Sequence, residues 1–232
     1  MEFIILLILI AFFMCLLFYI FQINMKKVKS FSKNEKLDNL VNKLPDNITI
    51  CEYILKILNN EKVKVKEETE TKTSLYIVAT NTISIANIKE SFTRVQTIAH
   101  ECLHSVQSRK KIMFNYIYTN VYIIYFLIVT ILTILGKIQN FMLQIEVLTI
   151  MGFVHYFVRS YLEMQAMLKA KYLAKQYMEE TKILKQEEIN EIVAEYDKLN
   201  DDGIKLMMFI ILANDLAKVV LYIIICLIKN IL

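Results

Sequence analysis

An apolar stretch at residues 3–21 carries no charged side chain and constrains this part of the chain more than any other feature. A helix of that length, at about 1.5 Å per residue, crosses roughly 30 Å of hydrocarbon. A secretory signal peptide would need a basic segment before the apolar run and a small-x-small cleavage site after it, and the sequence has neither. We therefore predict an uncleaved membrane-spanning helix.

Three further apolar stretches continue this pattern. Those at residues 116–135 and 141–158 are separated by a short turn, which predicts a membrane hairpin. The last stretch, residues 206–228, contains three polar side chains, so it either spans the membrane or lies partly in the interface. These side chains are Asn214, Asp215 and Lys218.

The composition favours helices and argues against several other classes of protein. Of the 232 residues, 56% are hydrophobic, whereas three are glycine and one is proline. Sandwiches, barrels and dinucleotide-binding sheets need more turn residues and a Gly-rich loop, so we predict a mostly α-helical fold. No basic run is interleaved with aromatic residues, which predicts no nucleic-acid partner. The four cysteines are scattered, which predicts no disulfide framework.

Basic residues crowd one side of the predicted spans. The eleven on that side are Lys26, Lys27, Lys29, Lys33, Arg109, Lys110, Lys111, Arg159, Lys169, Lys171 and Lys205. Lys137 and Lys229 flank the opposite side. Under the positive-inside rule, this bias predicts that residues 24–115 and 159–205 are cytoplasmic and that the N-terminus is outside.

The alternation of apolar and polar stretches predicts five segments. They are an N-terminal transmembrane anchor at 1–24, a cytoplasmic segment at 25–113, a transmembrane hairpin at 114–158, a cytoplasmic helical segment at 159–205 and a C-terminal membrane helix at 206–232. The segment at 159–205 is predicted to form two helical pieces that stop at residues 200–203, where the sequence reads Asn-Asp-Asp-Gly.

The first cytoplasmic segment combines helices with short strands. Helical spacing of apolar residues predicts a short helix that begins at Pro45. The Lys/Glu-rich run at 61–72 predicts a solvated connector. Two β-rich stretches, 74–79 and 82–88, predict a hairpin or two short strands. Ser91 is the predicted N-cap of the helix that follows.

That last helix carries the sequence H-E-x-x-H as His100, Glu101 and His104. Residues four apart project from one helix face, so the two imidazoles can hold one zinc ion. Glu101 is placed beside them to accept a proton from a water that the metal activates, which is the chemistry of peptide-bond hydrolysis. Cys102 points away from this face, and we expect it to pack in the core.

A catalytic zinc site needs a third protein ligand. The candidates are Glu163, His155, Glu146 and the pair Asp201 and Asp202. His155 and Glu146 fall within the third apolar stretch, where we expect His155 to make an ordinary hydrogen bond. Glu163 is better placed, because the predicted hairpin returns the chain to the side of the membrane that holds the H-E-x-x-H helix. On the residues alone, a ligand and a solvated carboxylate at Glu163 are equally supported.

Three stretches resemble one known family. Residues 98–107, IAHECLHSVQ, resemble the A-H-E-x-G-H-A-x-Q stretch of bacterial membrane-bound neutral zinc metallopeptidases, a YugP-like family of the gluzincin type. Residues 163–170, EMQAMLKA, are similar to its E-x-x-A-x-x-x-A segment, and residues 218–222, KVVLY, to its A-K-x-V-L stretch. The resemblance implies that Glu163 is the third zinc ligand. It also implies a multi-spanning helical membrane protein with a small cytoplasmic α+β, zincin-like catalytic part.

Our first functional prediction is a multi-pass zinc endopeptidase of the cell membrane with its active site facing the cytoplasm. His100, His104 and Glu163 would bind Zn²⁺, Glu101 would act as general base, and the substrate would be a membrane or membrane-proximal polypeptide. A second interpretation is an intramembrane site-2-type protease whose zinc site Asp201 or Asp202 completes, although polar residues flank the motif and argue against it. A third is a non-catalytic membrane scaffold that keeps a degenerate metal site.

Overall fold

The structure of the chain is a computed structural model that describes residues 2–22, 34–68, 70–71, 73–88 and 91–231. Within these residues the chain forms seven α-helices and a three-stranded sheet, so it is mostly helical, as predicted. The elements are α1 (Glu2–Ile20), α2 (Glu35–Val41), α3 (Asn47–Ile57), β1 (Lys64–Glu68), β2 (Leu75–Ile77), β3 (Thr82–Ala86), α4 (Arg94–Val106), α5 (Arg109–Ile134), α6 (Phe141–Thr181) and α7 (Gln186–Ile231). Of the basic residues used to predict orientation, Lys26, Lys27, Lys29 and Lys33 lie outside the described residues.

The chain divides into two compact units. The first, here called the helical unit, comprises Met1–Ile23, Phe114–Tyr161 and Lys205–Leu232. The second, the sheet unit, comprises Asn24–Met113 and Leu162–Ile204. Helices α6 and α7 contribute to both units, because each contains an apolar and a polar stretch.

Four helices, α1, α5, α6 and α7, are long and apolar enough to cross a membrane. None of the residues of α1 is buried, and its large apolar side chains Ile8 and Phe12 are 63% and 67% exposed. The interior of the helical unit contains Tyr122, Leu148 and Tyr222, which are fully buried. An apolar exterior around a packed interior is compatible with solvation by lipid tails.

The predicted turn between the second and third apolar stretches is confirmed, since α5 ends at Ile134 and α6 begins at Phe141. The prediction that the polar helical segment stops at residues 200–203 is wrong. Helix α7 continues through these residues without a break. The Asn200 side chain accepts a hydrogen bond from Gln96 at 2.6 Å and donates one to the Met167 carbonyl at 3.5 Å. It is therefore used in tertiary contacts, which override the weak helix propensities of Asn, Asp and Gly.

The sheet has the strand order β1-β3-β2. Strands β2 and β3 pair antiparallel, with Tyr76 opposite Ile83, which confirms the predicted hairpin. The prediction of a solvated connector at residues 61–72 is wrong, since β1 lies within it and pairs parallel with β3. Strand β1 is an edge strand, and three of its five residues are exposed. Exposed positions of an edge strand accommodate Lys and Glu, so the sequence of β1 has the composition of a solvated loop.

Helix α4 packs its apolar side in the core of the sheet unit. Ile98, Ala99 and Cys102 are fully buried at helical spacing, and β3 is buried along its whole length. The helix begins at Arg94 with Thr93 as its N-cap, so the prediction of Ser91 as the N-cap is wrong. The Ser91 Oγ instead accepts a hydrogen bond from the Thr93 N–H at 3.3 Å in the turn before the helix. This packing fixes one face of α4 and leaves the opposite face for the side chains of the H-E-x-x-H sequence.

Candidate metal centre

The two histidines of the H-E-x-x-H sequence meet on one face of α4. Their Nε2 atoms lie 3.0 Å apart, and their rings are nearly perpendicular, with an interplanar angle of 88°. His100 and His104 are one helical turn apart, so the i, i+4 spacing produces this contact. Both side chains are largely buried, with 17% and 12% of their surface exposed.

Glu163 joins this pair from a different helix, α6. Its Oε2 lies 3.1 Å from His100 Nε2 and 3.5 Å from His104 Nε2, and its side chain is 3% exposed. Among the described residues, these three side chains form the one group of three or more His, Cys, Asp or Glu that could hold a metal ion. All three belong to the sheet unit.

Glu101, also on α4, is buried next to this group, with 7% of its surface exposed. Burial raises the pKa of its carboxyl and the charge of Glu163 adds to this effect, whereas the two imidazoles oppose it. The backbone of Tyr76 in β2 also faces this carboxylate and favours its charged form by hydrogen bonding. A carboxyl whose pKa is raised from the usual acidic range is suited to accept and release a proton near neutral pH.

The pKa of His104 is shifted by opposing effects. Burial, the largest single cause, lowers it, but Glu163, Glu101 and the hydrogen bond with Gln107 together outweigh burial, so that the net shift of the pKa is upward. Positive charge is therefore favoured at the point where the imidazoles meet the carboxylate. A metal ion supplies positive charge at such a point in place of a proton.

The other predicted ligand candidates lie elsewhere. Glu146 is exposed on α6, and His155 makes a 2.8 Å hydrogen bond with Asp215 inside the helical unit, as an ordinary polar pair. Asp201 is exposed and Asp202 half-buried on α7, and neither belongs to the group formed by the two histidines and Glu163.

Cys102 lies in the core, as predicted. It is fully buried, and its Sγ is 3.5 Å from Sγ of Cys51, which is also a free thiol. Burial is the main cause that raises the pKa of the Cys102 thiol well above its usual value. Cys102 is therefore a packing residue on the side of α4 that faces the core.

Two polar contacts of the site were not predicted from the sequence. Gln107 contacts His104 through its side-chain amide, and the backbone of Tyr76 faces Glu101. The resemblance includes Gln107 in its motif, which is the one available signal, whereas a backbone contact from a strand leaves no pattern in the sequence. Comparison of the chain with models of protein families, with curated proteins and with solved structures found no match.

Proposed function

We propose that this chain is an integral-membrane zinc-dependent endopeptidase whose zinc ligands are His100, His104 and Glu163. The observation that carries the proposal is the convergence of three donor atoms from two helices, with a buried carboxylate, Glu101, beside them. Two imidazoles and a carboxylate are the ligand set of a class of catalytic zinc sites. The resemblance to membrane-bound neutral zinc metallopeptidases leads to the same residues.

The three donor atoms lie within about 0.3 Å of the spacing of zinc ligands. Ligand bonds of about 2.0–2.2 Å at tetrahedral angles place neighbouring ligand atoms about 3.3–3.6 Å apart. The three distances in this site are 3.0, 3.1 and 3.5 Å. Because three protein ligands leave the fourth position of a tetrahedral ion open, the donor set is that of a catalytic site and not of a closed structural one.

A zinc ion bound here would act as a Lewis acid on the scissile carbonyl and lower the pKa of the attacking water. Glu101 supplies the proton transfers of the reaction: its carboxylate takes a proton from the water and returns it to the leaving nitrogen. Its burial raises its pKa, which brings the carboxyl closer to the pH at which it can do both. Glu163 is 3% exposed, so its carboxylate, which lies next to both imidazoles, is shielded from competing water.

The edge strand β2 offers a place for an extended polypeptide. Strand β2 is at one end of the order β1-β3-β2, so one of its sides has no strand partner among the described residues. Tyr76, the central residue of β2, faces Glu101, and this places the strand edge next to the general base. An extended peptide that pairs with β2 would therefore bring its backbone to the reacting groups.

We place the site on the cytoplasmic side of the cell membrane. Four helices are long and apolar enough to span, and Lys and Arg crowd the side that carries the sheet-unit segments. A site of this kind would meet membrane or membrane-proximal polypeptides. The site-2-type alternative is less well supported, since Glu163, and neither Asp201 nor Asp202, is in contact with both histidines.

The test is to purify the wild type and the Glu101→Gln variant in detergent, and to measure bound zinc and cleavage of an unfolded polypeptide such as casein. We expect about one zinc per chain in both proteins, and cleavage by the wild type only, because Gln cannot accept the proton. Glu52→Gln, at an exposed residue of α3, is the matched control and should cleave as the wild type does.

Three outcomes would contradict the proposal. Full cleavage by Glu101→Gln would show that Glu101 is not the general base. A wild type free of zinc after growth and purification with zinc would show that there is no metal site. A wild type that binds zinc but cleaves no unfolded or membrane polypeptide would favour the non-catalytic scaffold.

A further inference from the structure

Gln107 contacts both helices that contribute to the candidate metal centre. It follows α4 directly as its C-cap, three residues after His104. Its Oε1 lies 2.8 Å from His104 Nδ1. Its Nε2 donates a hydrogen bond to the Leu162 carbonyl of α6 at 2.8 Å, one residue before Glu163.

The contact with Leu162 settles which way the Gln107 amide is oriented. A backbone carbonyl only accepts hydrogen bonds, so the amide nitrogen must face Leu162 and the amide oxygen must face His104. An amide oxygen is likewise only an acceptor, so the proton of a neutral His104 ring is on Nδ1. The lone pair of His104 is then on Nε2, the atom that lies 3.0 Å from His100 Nε2 and 3.5 Å from Glu163.

The same amide also links the two helices at the level of the site. Leu162 and Glu163 are consecutive in α6, so the hydrogen bond to the Leu162 carbonyl holds the turn that presents the carboxylate. The Gln107 side chain thus hydrogen-bonds through Oε1 to His104 on α4 and through Nε2 to Leu162 on α6. A metal ligand with its outer nitrogen bonded in this way has a fixed tautomer and ring orientation.

We propose that Gln107 is a positioning residue that presets His104 Nε2 and Glu163 for zinc. The proposal rests on the metal site proposed above and extends it to a residue that does not touch the metal. It predicts that Gln107 raises the affinity for zinc, and that the acceptor at Oε1, which faces the ligand His104 directly, contributes more than the donor at Nε2.

The experiment measures zinc affinity by chelator competition at one fixed pH, in the full-length protein in detergent. Gln107→Met keeps the length of the side chain and removes both hydrogen bonds, and we expect it to bind zinc about 10–100-fold more weakly. Gln107→Glu keeps an acceptor for Nδ1 but loses the donor to the Leu162 carbonyl, so it should bind zinc more tightly than Gln107→Met and less tightly than the wild type. Gln96→Met is the matched control on α4: it loses a hydrogen bond to Asn200, and we expect wild-type zinc affinity.

The outcomes separate this proposal from the one on which it rests. If the wild type binds no zinc, the proposal of the metal site is itself wrong. If the wild type binds zinc and Gln107→Met binds it equally tightly, only the positioning role of Gln107 is wrong. The same conclusion follows if Gln107→Glu binds zinc as weakly as Gln107→Met. If Gln107→Met fails to fold, Gln107→Lys replaces it, because Lys keeps a donor for the Leu162 carbonyl but has no acceptor for His104 Nδ1. We expect Gln107→Lys to bind zinc at least tenfold more weakly than the wild type. Wild-type zinc affinity in this variant would overturn the proposal.

Discussion

Asp215 on α7 accepts a hydrogen bond from His155 Nδ1 on α6 at a distance of 2.8 Å. Its other oxygen accepts one from Lys218 Nζ at 3.0 Å, and the carboxylate is 2% exposed. Two of the polar residues that interrupt the last apolar stretch are therefore paired with each other and with a histidine inside the helical unit. Paired charges are what a helix needs to carry ionisable residues among apolar neighbours.

We expect Asp215→Ala to destabilise the helical unit strongly. Removal of the carboxylate leaves His155 and the half-buried Lys218 without their partner among apolar neighbours, which costs about 3–5 kcal/mol. In a chain of this size, 1 kcal/mol moves Tm by about 2–4 °C, so thermal unfolding followed by circular dichroism should show a fall of about 6–20 °C. Asn214→Ala, at the exposed neighbouring position, is the control and should keep the wild-type Tm. Equal Tm values for Asp215→Ala and the wild type would show that the carboxylate is not needed.

A second prediction concerns the thiols of Cys51 and Cys102. Both are fully buried in the sheet unit, and burial raises the pKa of Cys102, so little reactive thiolate is present or accessible. Neither cysteine should react with iodoacetamide in the native protein over the time that labels both completely in denaturant. Peptide mass spectrometry after each treatment provides the measurement. Native labelling of either residue at the denatured rate would contradict the packing described here.

The parts of the fold that could be predicted have strong local signals. Long apolar runs identified the apolar helices without any tertiary information, and alternation identified β2 and β3. Strand β1 was missed because an edge strand with exposed side chains has the Lys/Glu composition of a solvated loop. The continuation of α7 past residue 200 was missed because the Asn200 side chain has partners on α4 and α6, which the local sequence does not contain.

The same division holds for the candidate site. His100 and His104 could be paired from the sequence, since four residues make one helical turn. Glu163 is 63 residues from His100, so the residues alone supported a zinc ligand and a solvated carboxylate equally at this position. In the structure, Glu163 Oε2 lies 3.1 Å from His100 Nε2. The Gln107 contact to Leu162 ends on a backbone carbonyl, which any residue provides, so no pattern of residue types reveals it.

A third prediction uses the N-cap of α3. The Asp46 carboxylate accepts hydrogen bonds from the Thr49 N–H at 2.9 Å and from its hydroxyl at 2.8 Å. These bonds, the backbone one first, hold the pKa of Asp46 below its usual value. Asp46→Ala should therefore lower the free energy of unfolding by about 1 kcal/mol at pH 7, whereas Asp46→Asn, a good N-cap, should lose less.

The pH dependence of this effect has a definite sign. A carboxyl with a lowered folded-state pKa stabilises the protein fully above its unfolded pKa of about 3.9. That stabilisation is lost as the pH falls through the lower, folded pKa. Chemical unfolding of the wild type and of Asp46→Ala at several pH values should show a stability difference that shrinks below about pH 4. A difference that grows on acidification would contradict the assignment of Asp46 as an ionised cap.

The last prediction concerns removal of metal. The two histidines are on α4 and Glu163 is on α6, and Glu163 follows His100 by 63 residues in the sequence. An ion held by all three side chains would therefore join two helices that are distant in the sequence. A ligand that binds only the folded state stabilises it by about 4 kcal/mol at a concentration 1,000 times its Kd. We therefore expect excess EDTA to lower the Tm of the wild type, and zinc to restore it.

Two substitutions on α6 make this effect specific to the site. Glu163→Ala removes one of three donors, so its Tm should respond weakly or not at all to zinc and EDTA. Glu179→Ala removes an exposed carboxylate from the same helix and should keep the full response of the wild type. Since both variants lose one negative charge from α6, a difference between them comes from the position of the carboxylate and not from the change in net charge. An equal response in both variants would mean that zinc stabilises the protein through other residues.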